Sequence, residues 1–160
     1  MFLEEKGKKS YKVQEIKPDP LYESVLLSKF INQIMKDGKK DAARKVVYGA
    51  LEEIKKKEKK DAMSVFEKAI SNVSPETEVR SKRVGGATYQ VPMKVSTKRA
   101  VSLSFRWIIT AARNKKGKPM SVKLFEEIVS ASNSEGDAIK KKENVHKMAK
   151  ANRAFAYLAK

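Results

Sequence analysis

The topology of this chain is set by residues 80–92, which read Arg80-Ser81-Lys82-Arg83-Val84-Gly85-Gly86-Ala87-Thr88-Tyr89-Gln90-Val91-Pro92. Gly85 and Gly86 supply the positive φ angles that a two-residue hairpin turn requires, and the flanking residues favour strands. With these glycines as the turn, Lys82 lies opposite Tyr89. Neither face of the ribbon is cleanly apolar, so its outer half is expected to project from the body. Eight residues of strand reach roughly 25 Å.

The segments before and after this ribbon have the apolar periodicity of helices. Apolar spacing predicts six helices, at about residues 20–38, 39–57, 61–74, 97–113, 120–133 and 137–158. The first is expected to start at Asp19-Pro20, with Asp19 as its N-cap. The prediction is a mainly α protein: a six-helix bundle-like body (residues 19–160) with a protruding two-stranded β-ribbon at about 76–95, between helices 3 and 4. Residues 1–18 are predicted to form an extended N-terminal arm.

Two of the predicted helices carry informative apolar stripes. The third has a complete helical pattern, which predicts core positions at Ala62, Val65, Phe66, Ala69, Ile70 and Val73. The sixth is expected to bury four side chains along its length, namely Val145, Met148, Phe155 and Ala156.

The chain is strongly basic. It has 36 Lys and Arg against 19 Asp and Glu, a formal net charge of +17. Residues 79–125 contain no acid at all, and their cations are Arg80, Lys82, Arg83, Lys94, Lys98, Arg99, Arg106, Arg113, Lys115, Lys116, Lys118 and Lys123. Like charges without partners destabilise a compact state, so a polyanion that neutralises them is the expected ligand.

The composition excludes several classes of function. The chain has no Cys and one His, so disulfides, thiolate chemistry and multi-histidine metal sites are ruled out. His146 has no nucleophile motif near it, and the pair Glu126-Glu127 is interpreted as ordinary surface charge. The longest apolar run is far shorter than the roughly 20 residues of a spanning helix. We therefore expect a soluble intracellular protein without catalytic activity, cofactor, metal or membrane contact.

Four groups of residues are candidates for nucleic-acid contacts. Lys36, Lys39 and Lys40 crowd the turn after the first helix, where a solvated loop and a phosphate-contacting corner are equally compatible with the pattern. The other groups are the line Arg99, Arg106 and Arg113, the loop cations Lys115, Lys116 and Lys118, and the ribbon with Arg80, Lys82, Arg83 and Tyr89. Tyr can stack on a base, but composition does not separate RNA from DNA. A DNA-architectural protein with a basic β-arm is the alternative, and a nucleic-acid enzyme is a distant third.

Several motifs in the right order resemble a known family. They are Ser24-Val25-Leu26, Phe30-Ile31, Gly38-Lys39-Lys40, Val46-Val47, the ribbon from Glu78 to Pro92, Leu103-Ser104-Phe105-Arg106-Trp107, and the late runs Ala138-Ile139-Lys140-Lys141-Lys142 and Ala151-Asn152-Arg153-Ala154-Phe155-Ala156. In residue type and spacing they resemble the bacterial-type family of the seventh small-subunit ribosomal protein, uS7. The resemblance covers about residues 18–157.

This resemblance implies a structural role in the small ribosomal subunit, with no homo-oligomer needed. It implies binding to the 3′ major domain of the ribosomal RNA, nucleation of head assembly, and contacts with neighbouring head and platform proteins. RNA-binding residues carry over onto Lys36, Lys39 and Lys40 and onto Lys140, Lys141 and Lys142. The ribbon, with Arg80, Lys82, Arg83, Gly85, Gly86 and Tyr89, is expected near the exit-site transfer RNA and the messenger path. A bacterial cytoplasm is expected, with an organellar ribosome left open.

Overall fold

Six α-helices and one hairpin make up the computed structural model, which describes residues 15–159. In chain order the elements are α1 (Val25–Ile34), α2 (Lys40–Glu58), α3 (Ala62–Val73), β1 (Thr77–Val84), β2 (Ala87–Lys94), α4 (Thr97–Asn114), α5 (Met120–Ser132), α6 (Asp137–Ala151) and a 3₁₀ helix (Arg153–Ala159). The mainly helical fold with a ribbon between α3 and α4 is therefore confirmed. Of the predicted N-terminal arm, residues 1–14 lie outside the described residues, and residues 15–18 have no regular structure.

The core forms where α5 packs against α2, α3 and α4. All six predicted α3 positions are buried, as their spacing required. Phe30 of α1 contacts two further rings edge-on, with centroids 5.1 Å from Phe66 and 5.2 Å from Phe105. Edge-to-face contacts suit the charge distribution of aromatic rings, so this trio fixes how α1, α3 and α4 meet. Within the part of the chain that the structure describes, no helix is long and apolar enough to cross a membrane.

The hairpin has the predicted register. Lys82 pairs with Tyr89 across the antiparallel ribbon, and the turn glycines have φ angles of 57° at Gly85 and 87° at Gly86. Val91 is buried at the base of the ribbon, whereas both strands are exposed near the turn. The base lies against the body, whereas the tip projects and leaves even Val84 39% exposed.

The predicted start of the first helix is wrong. α1 begins at Val25, and the Ser24 hydroxyl accepts a hydrogen bond from the Leu27 amide. Asp19 instead caps a separate turn, where its carboxylate accepts from the amides of Leu21 and Tyr22 at 3.1 Å. Glu23, with φ 49°, is in the left-handed region that a right-handed helix cannot include. The helical path is therefore interrupted between the turn and α1.

The last helix is shorter than predicted. α6 ends at Ala151 because the Asn152 side chain donates to the Met148 carbonyl at 2.8 Å and Asn152 itself leaves the helical conformation. The chain continues as the 3₁₀ helix, which packs on β2. Met148 is 48% exposed and Ala156 is also exposed, so both predicted core positions are wrong. Phe155 is half-buried against the ribbon.

Glu127 is buried, which corrects its interpretation as surface charge. Its Oε1 accepts from the Ala138 amide at 3.0 Å, and its Oε2 lies 3.1 Å from Lys115 Nζ. Gly136 precedes α6 with φ 95°, and a Cβ at that position would come within 2.9 Å of Glu127 Oε1. The carboxylate thus caps α6, and the glycine allows its close approach.

Replacing Glu127 with Ala is expected to lower the free energy of unfolding by about 2–3 kcal/mol, because a buried amide would lose its acceptor. Glu127→Gln retains an acceptor oxygen and should lose less. The matched control is Glu143→Ala, at an exposed position of α6, which should stay within about 0.5 kcal/mol of wild type. Urea unfolding measures all three. Equal stabilities of the Glu127→Ala and Glu143→Ala variants would contradict the capping role.

Tyr48 gives the fold a pH dependence at high pH. Its hydroxyl donates to the Asp19 carboxylate at 2.8 Å. Burial, followed by this hydrogen bond, raises the pKa of Tyr48 to about 12. Because the folded-state pKa lies above the unfolded value near 10, the stabilisation is complete below pH 10. It is lost as the pH rises towards 12.

Tyr48→Phe is expected to cost about 1.5–3 kcal/mol at pH 8, since a hydrogen bond to a carboxylate is removed. The difference from wild type should shrink between pH 10 and 12. Urea unfolding at pH 8 and 11.5 tests this, with Tyr157→Phe, at a position that is 71% exposed, as the control. A difference that stays constant over this range would contradict the assignment.

Candidate nucleic-acid interface

Glu78 neutralises part of the basic surface at the base of the ribbon. Its Oε1 lies 2.5 Å from Arg80 Nη2, and its Oε2 lies 3.4 Å from Arg99 Nε. Glu78 is the last acid before the acid-free residues 79–125, and it is 8% exposed. A buried carboxylate is costly unless it is paired. The partners of Glu78 are Arg80 on the same strand and Arg99 on α4. The Glu78–Arg99 pair therefore joins the ribbon to α4, whereas the Glu78–Arg80 pair lies within β1.

Two cations of the loop between α4 and α5 are paired with acids of α5. Lys115 contacts the buried Glu127, and Lys118 donates to Glu126. The hydrogen bond from Lys118 lowers the pKa of Glu126 below its ordinary value. Lys116 is exposed and forms no ion pair among residues 15–159. The expectation of cations without negative partners is wrong for four residues, because acids just outside the stretch fold back on them: Arg80, Arg99, Lys115 and Lys118.

The three arginines in line on α4 have different environments. Arg99 is paired with Glu78. Arg113 donates to the Ile34 carbonyl at 3.1 Å and so closes the C-terminal end of α1. Arg106 is exposed and forms no ion pair or hydrogen bond in the described part of the chain. Of the three, only Arg106 has no polar partner among the described residues.

The corner between α1 and α2 is an exposed cationic cluster. Lys36, Lys39 and Lys40 are all exposed, and no acid of residues 15–159 pairs with them. The side chains of Lys36 and Lys39 line one concave surface together with Arg113. The fold thus brings the predicted corner next to the end of the arginine line, which the sequence alone did not show.

The three lysines at the start of α6 also differ in their contacts. Lys140 Nζ lies 3.3 Å from Asp137, and Lys142 Nζ donates to the Asn72 carbonyl at 2.7 Å. Lys141 is exposed, without an ion pair or hydrogen bond in the described residues. Lys142 ties α6 to α3, whereas Lys141 is free to bind an anion.

The ribbon is partly covered by the C-terminal 3₁₀ helix. Arg83 and the turn glycines are exposed at its tip. Tyr89 is half-buried, with its ring centroid 5.2 Å from that of Phe155, and Lys82 Nζ donates to the Leu158 carbonyl at 2.7 Å. The Tyr89 ring already has an aromatic partner, so the 3₁₀ helix restricts its access to a nucleobase.

The described residues hold no group of three or more His, Cys, Asp or Glu that could bind a metal ion. His146 Nε2 accepts from the Glu76 amide at 3.2 Å, which joins α6 to the start of the ribbon. The single histidine is thus accounted for by a structural contact. What this surface can do chemically is bind anions.

Three functional neighbours were missed by the sequence reasoning. Glu78 had a usable signal, as the acid bordering the acid-free stretch. Trp107, beside Arg106, packs against the core but is only half-buried. Phe155 was placed in a long helix, and its contact with Tyr89 joins positions far apart in the chain, which periodicity does not report.

Comparisons with a family model and with individual proteins agree on one family. Residues 6–153 match the model of the family "Ribosomal protein S7p/S5e". A protein named "Small ribosomal subunit protein uS7" from Thermotoga petrophila is 56% identical over 145 residues, covering 91% of this chain and 94% of the relative. The protein of the same name from Dictyoglomus thermophilum is 56% identical over 144 residues, covering 90% and 92% respectively.

Phe155→Ala is expected to loosen the ribbon without unfolding the body. Losing an aromatic pair of about 0.5–1.5 kcal/mol beyond area burial should speed amide exchange in β1 and β2 by several-fold, while exchange in α3 stays unchanged. Hydrogen exchange read by mass spectrometry measures this, with Tyr157→Ala on the same 3₁₀ helix as control. Unchanged ribbon exchange would show that the contact does not hold the ribbon.

Proposed function

The chain belongs to the ribosomal protein S7p/S5e family, and on that premise we propose that it binds the 3′ major domain of small-subunit ribosomal RNA and nucleates assembly of the head. The family is a structural, non-enzymatic component of the small ribosomal subunit, so the chain is an RNA-binding protein of translation. Membership selects the ribosomal alternative over the DNA-architectural one.

The observation that carries this proposal is the segregation of cations. Arg99, Arg113 and Lys142 make contacts inside the protein, whereas the α1–α2 corner, Lys116 and Lys141 remain exposed and unpaired in the described residues. Phosphates neutralise such cations, and the shape of the folded RNA supplies selectivity. The corner lysines, Lys116, Arg106 and Lys141 are therefore proposed as the main RNA contacts.

The ribbon is proposed to reach towards the exit-site transfer RNA and the messenger path. Arg83 and the exposed glycine turn form its projecting tip, a shape that can enter a space between nucleic-acid strands. Neighbouring head and platform proteins are the proposed protein partners. The bacterial relatives support a bacterial ribosome in the cytoplasm as its place of action.

The test is competitive binding to a labelled fragment of the small-subunit RNA 3′ major domain at two salt concentrations. Duplex DNA and an unrelated folded RNA serve as competitors. The fragment is expected to be retained at the higher salt with a preference of orders of magnitude. Equal competition by DNA would overturn the proposal.

Replacing Lys36, Lys39 and Lys40 with Gln should weaken binding and make it less sensitive to salt. Each lost phosphate contact reduces the slope of log affinity against log salt by about 0.7–0.9, so the triple variant should lose about 2–3. The control is the triple Gln variant of Lys56, Lys59 and Lys68, exposed residues with the same charge change. Equal slopes for the two variants would show that the three corner lysines do not contact the RNA phosphates.

A further inference from the structure

Two cations without a partner among residues 15–159 line the same cavity. Arg106 is the free member of the arginine line, and Lys141 is the free member of the α6 lysines, in the part of the chain that the structure describes. Both line a single cavity between α4 and the start of α6. The other members of each trio make contacts inside the protein. The two groups therefore each contribute one available charge to the same opening.

The cavity has the chemistry of a nucleotide site. Its volume is about 420 Å³, and it is lined by Trp107, Asn114 and Asp137 as well as the two cations, with Thr110 and Ala111 completing the wall. An indole offers a surface on which a base can stack. Asn114 has amide donors and an acceptor, and Asp137 has carboxylate oxygens, one of which is engaged by Lys140 at 3.3 Å.

We propose that this cavity binds one unpaired nucleotide of the RNA, with its base against Trp107 and its phosphate between Arg106 and Lys141. The inference rests on the proposed function and deepens it. A phosphate backbone alone needs only an exposed cationic surface, such as the α1–α2 corner. A concave site that adds an aromatic ring and hydrogen-bonding groups suits a base that has left its stack, which is how proteins read single-stranded positions in RNA.

Asp137 gives the site a directional preference. A carboxylate repels phosphate but accepts hydrogen bonds from an exocyclic amine or a ribose 2′-hydroxyl. The phosphate therefore lies towards the two cations and away from Asp137. The amine or the sugar hydroxyl faces the carboxylate.

The chain provides its own probe, because Trp107 is its only tryptophan. The full-length protein is titrated with the 3′ major domain fragment while Trp107 emission and binding are followed together. Stacking of a base should quench the emission by about half or more. Adenosine monophosphate alone forms a second arm, and it should cause no quenching at micromolar concentration, because the RNA supplies most of the affinity.

Matched variants separate this site from general charge effects. Arg106→Gln and Lys141→Gln should each weaken RNA binding by about tenfold and reduce the quenching. Lys147→Gln, at an exposed position of the same helix and outside the cavity, should do neither. Trp107→Phe should bind like wild type, whereas Trp107→Leu should bind about tenfold more weakly. Thermal melting confirms that each variant is folded.

The outcomes are distinguishable. Tight RNA binding with unquenched Trp107, or equal effects of Lys141→Gln and Lys147→Gln, overturns the cavity assignment and leaves the ribosomal function standing. Quenching by micromolar free nucleotide overturns the assignment to RNA. Absence of any preference for the RNA fragment overturns the proposed function and this inference together.

Discussion

The carboxylate of Glu127 joins three separate parts of the molecule. It lies on α5, accepts a hydrogen bond from the first turn of α6 and pairs with Lys115 from the loop after α4. Glu127 is 1% exposed, so its charge is tolerated only because these partners satisfy it. Moving either the start of α6 or Lys115 would remove one of the two partners of this buried charge. Together with the contacts of Lys142 and His146, this arrangement orients α6, which carries Lys141 and leads into the 3₁₀ helix.

Acids are scarce in this chain, and several of them hold the fold together. Glu78 connects the ribbon to α4 through Arg99 and also pairs with Arg80 on its own strand, and Asp19 connects the segment before α1 to α2 through Tyr48. A carboxylate that holds two cations also reduces the repulsion between them. The protein therefore keeps a net charge of +17 while concentrating its unpaired cations on surfaces that an RNA can neutralise. Some members of the basic groups stabilise the fold, and the proposed RNA contacts are other members of the same groups.

The C-terminal 3₁₀ helix links the ribbon to the body. Phe155 packs on Tyr89, and the Leu158 carbonyl accepts from Lys82. The inner part of the ribbon is thus held on one side, while the tip beyond Arg83 remains exposed. A ribbon braced in this way presents its tip in a defined direction and loses less conformational entropy on binding.

The amino-acid sequence by itself determined the helical stripes, the hairpin register and the family. Periodicity at Ala62–Val73 and the pair Gly85-Gly86 are local signals, because a helix repeats every 3.6 residues and a two-residue turn needs positive φ angles. Only the tertiary structure decided which cations form ion pairs or hydrogen bonds within the protein. Arg99 and Arg106 are indistinguishable by spacing, yet one meets Glu78 and the other lines the cavity with Trp107 and Lys141. Charge pairing depends on distances between segments remote in the chain, and periodicity contains no information about those distances.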